Sequence, residues 1–137
     1  MNLSRTNRAY FDAAKAVSTL SNHHQAKIGC AVVYKHRIIS TGCNSTRTHP
    51  IQKKYNCYRF EDDNNHSLHA ETQALLPLLN RKDIEFNRVS LYIYREHKDG
   101  SLALARPCAS CKALISSLGI KHIYFTGESS YISEILM

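Results

Sequence analysis

The stretch Ile28-Gly29-Cys30-Ala31-Val32-Val33-Tyr34-Lys35-His36-Arg37-Ile38-Ile39-Ser40-Thr41-Gly42-Cys43 decides the architecture. Two strand-like runs, Ile28 to Tyr34 and Arg37 to Cys43, flank only Lys35-His36, which is hairpin spacing, although that pair is not among the strongest turn dipeptides. On its N-terminal side, Ser4 can cap a helix whose apolar positions Tyr10, Ala13, Ala14, Val17 and Leu20 recur at intervals of three and four. The polar run Ser21-Asn22-His23-His24-Gln25 stops that pattern. On its C-terminal side, Asn44 to Ser67 has no sustained period, and a loop of that length inside a compact domain is usually functional or disordered. Helical spacing returns from His69 to about Asn80, with Ala70, Ala74, Leu75, Leu78 and Leu79 on one face. Pro77 inside it removes the hydrogen bond to the Gln73 carbonyl, so the helix should kink or stop there. Val89 to Tyr94 alternates as a half-buried strand, Arg95 to Arg106 is polar with a turn at Asp99-Gly100, and Cys111, Leu114, Ile115 and Leu118 resume a helix that Gly119 can end. Ile120 to Phe125 reads as a further strand. The order α-β-β-α-β-α-β, without repeat or linker, implies one sheet covered by helices, with its last strands parallel through a right-handed crossover.

Length and composition set the bounds. A chain of 137 residues is one domain, spanning 1–137, and is large enough to fold without a disulfide or a structural metal. With 43% apolar and 21% charged residues, 5 Gly and 3 Pro, it is neither collagenous nor low-complexity. Eighteen Lys and Arg against eleven Asp and Glu leave a net charge of +7, with 8 His in reserve, which favours anionic partners such as phosphorylated metabolites or nucleic acid. Met1 to Arg8 holds two arginines and no apolar stretch for a signal-peptide core. No apolar run approaches the ~18 residues of a membrane span. A cytoplasmic location is therefore expected, with no membrane partner. There the five Cys, an odd count, read as metal ligands, reactive thiols or small core residues rather than a disulfide framework.

Two short pieces carry chemistry: His69-Ala70-Glu71 and Pro107-Cys108-Ala109-Ser110-Cys111, each opening a helix. One imidazole and two thiolates make three zinc ligands, and three protein ligands plus water is the pattern of a catalytic site. Cys108 and Cys111, three residues apart in a first helical turn, point to one side and can grip one ion. A helix N-terminus lowers thiol pKa values and so favours the ligating form. Glu71 is placed to act as general base on a water at that ion. Taken alone, Pro-Cys-x-x-Cys also fits a redox pair or half of a zinc ribbon. A redox pair leaves His69-Ala70-Glu71 unexplained, and a purely structural zinc needs a fourth ligand, for which Cys57, His66 and His49 are the candidates. Cys30 and Cys43 read as small core residues, and Tyr92 and Tyr94 as sheet-packing aromatics.

His-Ala-Glu followed by Pro-Cys-x-x-Cys resembles the zinc-dependent cytidine/deoxycytidylate deaminase superfamily. The resemblance runs from about Ile28 to Phe125 and includes Gly29-Cys30-Ala31-Val32-Val33 and Gly42-Cys43-Asn44. It implies a three-layer α/β/α fold around a mixed sheet of about five strands, the fifth of which must come from Tyr131 to Met137. It implies a hydrolase with one catalytic Zn2+ on His69, Cys108 and Cys111, and Glu71 as proton carrier. Asn44 would contact the substrate sugar and the Ala70 N–H the base carbonyl. It also implies assembly into homo-oligomers. A His first ligand is similar to the deoxycytidylate, transfer-RNA and nucleic-acid branches, whereas cytidine deaminases usually carry Cys there. Two features depart from the family: Ala105-Arg106-Pro107-Cys108 stands where many members have Glu-Pro-Cys, and the loop Arg95 to Arg106 is longer and more basic. The segment Asn44 to Ser67 holds Arg47, Lys53, Lys54 and Arg59, where nucleotide-acting members receive phosphate and sugar, and some deoxycytidylate deaminases bind a second zinc there. Lys53-Lys54-Tyr55 and Tyr58-Arg59-Phe60 interleave basic and aromatic residues in a way that suits single strands. The expected substrate is a small, deoxycytidylate-like nucleotide, deaminated from cytosine to uracil. The alternatives are a base in tRNA or single-stranded DNA, or a non-catalytic zinc-bearing binding domain.

Overall fold

The computed structural model describes residues 4–23, 26–46, 50–55 and 68–136. Arg47, His49, Cys57, Tyr58, Arg59, Phe60 and His66 lie outside the described residues, as do the side chains of Lys53 and Tyr55. Ser4 caps α1 (Arg5–Ser18), accepting the Asn7 N–H at 3.0 Å. The helix ends earlier than its apolar spacing suggests. Thr19 and Leu20 turn back onto the Ala16 and Val17 carbonyls, which swings Leu20 off the helix face to 74% exposure. Its place in the interior is taken by Phe11, which with Tyr10 and Ala14 packs on the sheet.

The hairpin forms as the sequence requires. β1 (Ile28–Tyr34) and β2 (Arg37–Cys43) pair antiparallel from Gly29–Cys43 to Tyr34–Arg37, with a register shift between Val32 and Val33. Lys35 and His36 both adopt left-handed dihedrals, φ 51° and 63°, the pair of positive values that a two-residue hairpin turn of matching twist demands. β3 (Ser90–Arg95) adds antiparallel to β1, β4 (His122–Thr126) parallel to β3, and β5 (Tyr131–Ile135) antiparallel to β4, giving the order β2-β1-β3-β4-β5. The expected parallel pairing thus holds for β3 and β4, and the fifth strand does arise from the C-terminal segment.

Helices cover both faces. α1 lies over Ala31, Val33, Tyr92 and Tyr94. The opposite face, built from Cys30, Val32, Leu91, Ile93, Ile123 and Phe125, packs against α3 (Ala70–Leu75) and α4 (Ala109–Leu118). β3 is consequently buried on both sides rather than half-buried: an alternation of aliphatic with tyrosine hides one aromatic face under α1. Cys30 and Cys43 are buried free thiols, as expected of small core residues. α3 gives way after Leu75 to a single 3₁₀ turn, Leu76–Leu78, because Pro77 cannot donate to Gln73. Gly119 closes α4 in the left-handed region at φ 89°. One element escaped the sequence reading: α2 (Pro50–Tyr55) lies within the segment that shows no period, and it packs beside α4. No helix among the described residues is long and apolar enough to cross a membrane.

Candidate active site

Both motifs sit at the start of their helices, with His69 the N-cap of α3 and Cys108 the N-cap of α4. Each has extended dihedrals, and neither side chain caps its own helix, because both turn toward one another. His69 Nδ1 lies 3.1 Å from Cys111 Sγ and 3.6 Å from Cys108 Sγ, and the three donor atoms fall within 4.8 Å of one another. A tetrahedral ion with nitrogen at ~2.0–2.1 Å and sulfur at ~2.3 Å needs an N···S separation of about 3.5 Å. The observed pair of distances brackets that value, and one imidazole with two sulfurs is a donor set that suits zinc. His69, Cys108 and Cys111 are the candidate ligand group for one Zn2+.

The two sulfurs divide a proton between them. The hydrogen bond from Cys111 holds the Cys108 thiol down to about 3, and the same contact, with burial, pushes Cys111 up. Glu71, in the first turn of α3, is 5% exposed. Burial raises its carboxyl above the ordinary glutamate value, with the His69 charge opposing that shift. A carboxyl so placed holds a proton more readily than a free glutamate does.

His69, Glu71 and Cys108 line a cavity of 330 Å³ whose wall also includes His23, Ala26, Ile28, Asn44, Arg95 and Arg106. Of the site residues expected from sequence, Asn44, His69, Glu71 and Cys108 line this cavity, whereas Cys111 and Ala70, the first residue of α3, are fully buried and do not. Asn44 is held rigidly: Oδ1 accepts from Ser21 Oγ at 2.6 Å and the Ile28 N–H at 2.9 Å, and Nδ2 donates to the Ala26 carbonyl at 2.7 Å. Its side chain thereby ties the 21–28 connection to the end of β2. The opposite wall is fixed by Thr126, whose hydroxyl accepts the Arg95 N–H at 3.1 Å and donates to the Ala103 carbonyl at 2.6 Å. Arg106, the residue that departs from Glu-Pro-Cys, pairs with Glu134 on β5 at 2.7 Å.

Gln52 is the participant that sequence reasoning missed. It is 1% exposed on α2, accepts the His69 backbone N–H at 3.0 Å, and donates to Ser110 Oγ at 3.2 Å. One amide thus links the two ligand-bearing motifs. The available signal was Pro50, a residue type favoured at a first helical position, which does open α2.

A three-layer α/β/α frame that brings His69, Cys108, Cys111 and Glu71 together at two helix starts defines a deaminase-type metal site. Residues 4–127 match the family described as the cytidine and deoxycytidylate deaminase zinc-binding region, and the chain belongs to that family. Its fold is similar to that of the dCMP deaminase of cyanophage S-TIM5 in apo form, at a TM-score of 0.64 and 24% identity over 90% of this chain and 84% of that one. The same phage enzyme in complex with dCMP and dUMP gives 0.63 and 22%, covering 91% and 83% of the two chains. The cytidine deaminase of Burkholderia pseudomallei gives 0.64 at 19% identity, covering 97% and 93%. No curated protein sequence matches the chain.

Proposed function

We propose that this protein is a zinc-dependent hydrolytic deaminase that converts the cytosine of a small, deoxycytidylate-like nucleotide to uracil and releases ammonia. The observation that carries the reading is Glu71, buried and shifted upward, beside the His69, Cys108 and Cys111 donor group in a cavity that also exposes Arg95 and Arg106. His69, Cys108 and Cys111 would hold the zinc. When bound there, zinc supplies Lewis-acid activation of water near neutral pH. Glu71 accepts a proton from the attacking water and passes it to the ring nitrogen next to the amine-bearing carbon. It then takes the proton of the hydroxyl newly formed on the ring carbon and delivers it to the exocyclic amine, which leaves as ammonia while that oxygen becomes the carbonyl. The Ala70 N–H faces the base carbonyl. Asn44 Nδ2, with one proton given to Ala26 and no second partner among the described residues, presents its other proton to the sugar. Arg95 supplies positive charge for an anionic nucleotide, while Arg106 on the same wall is paired with Glu134. A dCMP deaminase of this fold has been crystallised with dCMP and dUMP, and a nucleotide substrate for this chain would match it.

The test is a chromatographic assay of purified, zinc-quantified protein against cytidine, deoxycytidine, their mono- and triphosphates, and a short cytosine-containing single strand. Deoxycytidylate should give deoxyuridylate and ammonia in equal amounts. Silence of the zinc-loaded protein across the panel would leave a non-catalytic zinc-bearing domain as the reading.

A further inference from the structure

A second cavity, 530 Å³ in volume, adjoins the first and shares His23, Ala26 and Arg95 with it. Beyond the shared wall it is lined by Lys27, His97 and Lys98, with Glu96 as its single carboxylate. We propose that this cavity is an annex for a phosphate chain, taking the phosphates that continue beyond the nucleotide seated at Glu71. The proposal rests on reading the Glu71 cavity as a nucleotide site, and it adds a binding region with its own residues and its own ligand chemistry.

Three observations carry it. The first is continuity: Arg95 belongs to both cavities and lies at the end of β3, so an anion leaving the catalytic cavity toward it enters the annex directly. The second is the state of the charges. Lys27 and Lys98 are exposed and enter none of the ion pairs among the described residues, and the Arg95 side chain donates a long 3.4 Å bond to the Leu104 carbonyl while its charge also acts on Glu128. The acidic groups nearby are already engaged: Glu96 accepts the Tyr94 hydroxyl at 2.7 Å, and Glu128 pairs with His97 at 2.7 Å. By contrast Arg106 and Lys112 are both committed to Glu134. The third is what the annex lacks. Among the described residues its lining contains no Phe or Tyr on which a base could stack. The chemistry it offers is therefore cationic contact with phosphate and not base recognition.

Two sources could supply such a chain, the tail of a nucleoside triphosphate or the backbone of a single-stranded polynucleotide, and the probes separate them. The zinc-loaded protein is titrated with fluorescent oligothymidylate, which has no amine to lose, and with inorganic tripolyphosphate as competitor. The same is done for the double variant Lys27→Glu/Lys98→Glu, after its melting curve is matched to the parent. The parent should bind at least one probe, and the variant should lose about tenfold or more in affinity for it. For the oligomer, the slope of log affinity against log salt should shrink by about 1.4, at ~0.7 for each single-strand phosphate that the variant no longer neutralises. Deoxycytidylate turnover should stay unchanged in the variant. Loss confined to tripolyphosphate assigns the annex to a triphosphate tail, and loss of the oligomer assigns it to a backbone. Equal binding by parent and variant, or no binding of either probe by the parent, overturns the annex. Failure of the parent to deaminate any cytosine nucleotide overturns the functional reading instead, and leaves the binding comparison to be judged alone.

Discussion

In the proposed mechanism Glu71 carries the chemistry and His69, Cys108 and Cys111 the donor set, so single substitutions should separate the two jobs. Glu71→Gln keeps the size of the side chain and removes its proton acceptor. Turnover should fall by at least about 10²–10⁴-fold while zinc content stays at the parent level. Wild-type turnover in that variant would remove Glu71 from the mechanism. Gln52 makes a different kind of contribution, because it touches the site through the His69 backbone and Ser110. Gln52→Met fills the same space but leaves the His69 N–H without that acceptor, a loss worth about 1–3 kcal/mol in a buried setting. Zinc affinity should drop about 10–100-fold, as for other groups that orient a ligand from behind. Gln52→Glu, which retains the acceptor oxygen, should keep more of it. A competition titration against a chromophoric chelator measures all three proteins.

At the scale of elements, two glycines set how closely helices approach the sheet. A Cβ on Gly29 would collide with the Ala14 carbonyl of α1 and lie 2.8 Å from the Ser18 nitrogen. A Cβ on Gly42 would lie 2.5 Å from the Ala74 nitrogen and 2.8 Å from the Ala70 carbonyl of α3. Both obstacles are backbone, so the helix itself must move. Gly29→Ala and Gly42→Ala should each cost at least about 1–3 kcal/mol in urea denaturation. They should differ in activity. α1 carries no site residue, whereas α3 carries Glu71, and a displacement near 1 Å at a catalytic group can cost about 10²-fold. Only Gly42→Ala should therefore lower kcat/KM once the folded fraction is accounted for.

At the scale of the molecule, the layer between α1 and the sheet is aromatic and titratable. Tyr92 stacks on Tyr124 with centroids 4.5 Å apart and donates to Asn7 Oδ1 at 2.8 Å, and burial pushes the Tyr92 and Tyr94 phenols well above their usual value near 10. The folded state thus holds protons that the unfolded chain gives up. The associated stability is fully present below about pH 10 and is lost as pH rises further, by up to about 1.4 kcal/mol per pH unit for each phenol. Urea midpoints between pH 8 and 11 should show the decline, and Tyr92→Phe should flatten it. Much of this architecture was legible in the chain. Ser4, Gly119, Pro77 and the hairpin spacing each impose a local geometry that survives any tertiary context, and the His-Ala-Glu and Pro-Cys-x-x-Cys pieces carry their chemistry in a few adjacent residues. What stayed hidden depends on distant partners. Leu20 fits the helical period yet lies past the end of α1, and the burial of Tyr92 depends on a helix more than seventy positions earlier. Gln52 is one buried polar residue in a short helix, too brief for any period to register.

The ligands themselves stand far apart along the chain: Cys108 and Cys111 are 39 and 42 positions from His69. They meet only because β1 separates β2, which leads toward α3, from β3, which leads toward α4. Closing loops of that span and forming the parallel β3–β4 pair are slow steps, and the hairpin and the two helix starts are fast ones. The donor group is thus expected to assemble at the end of folding, with metal entering a finished pocket. Refolding from urea should proceed at the same rate with or without added zinc, while the unfolding rate of the loaded protein falls, a contrast that stopped-flow measurements in both directions will show.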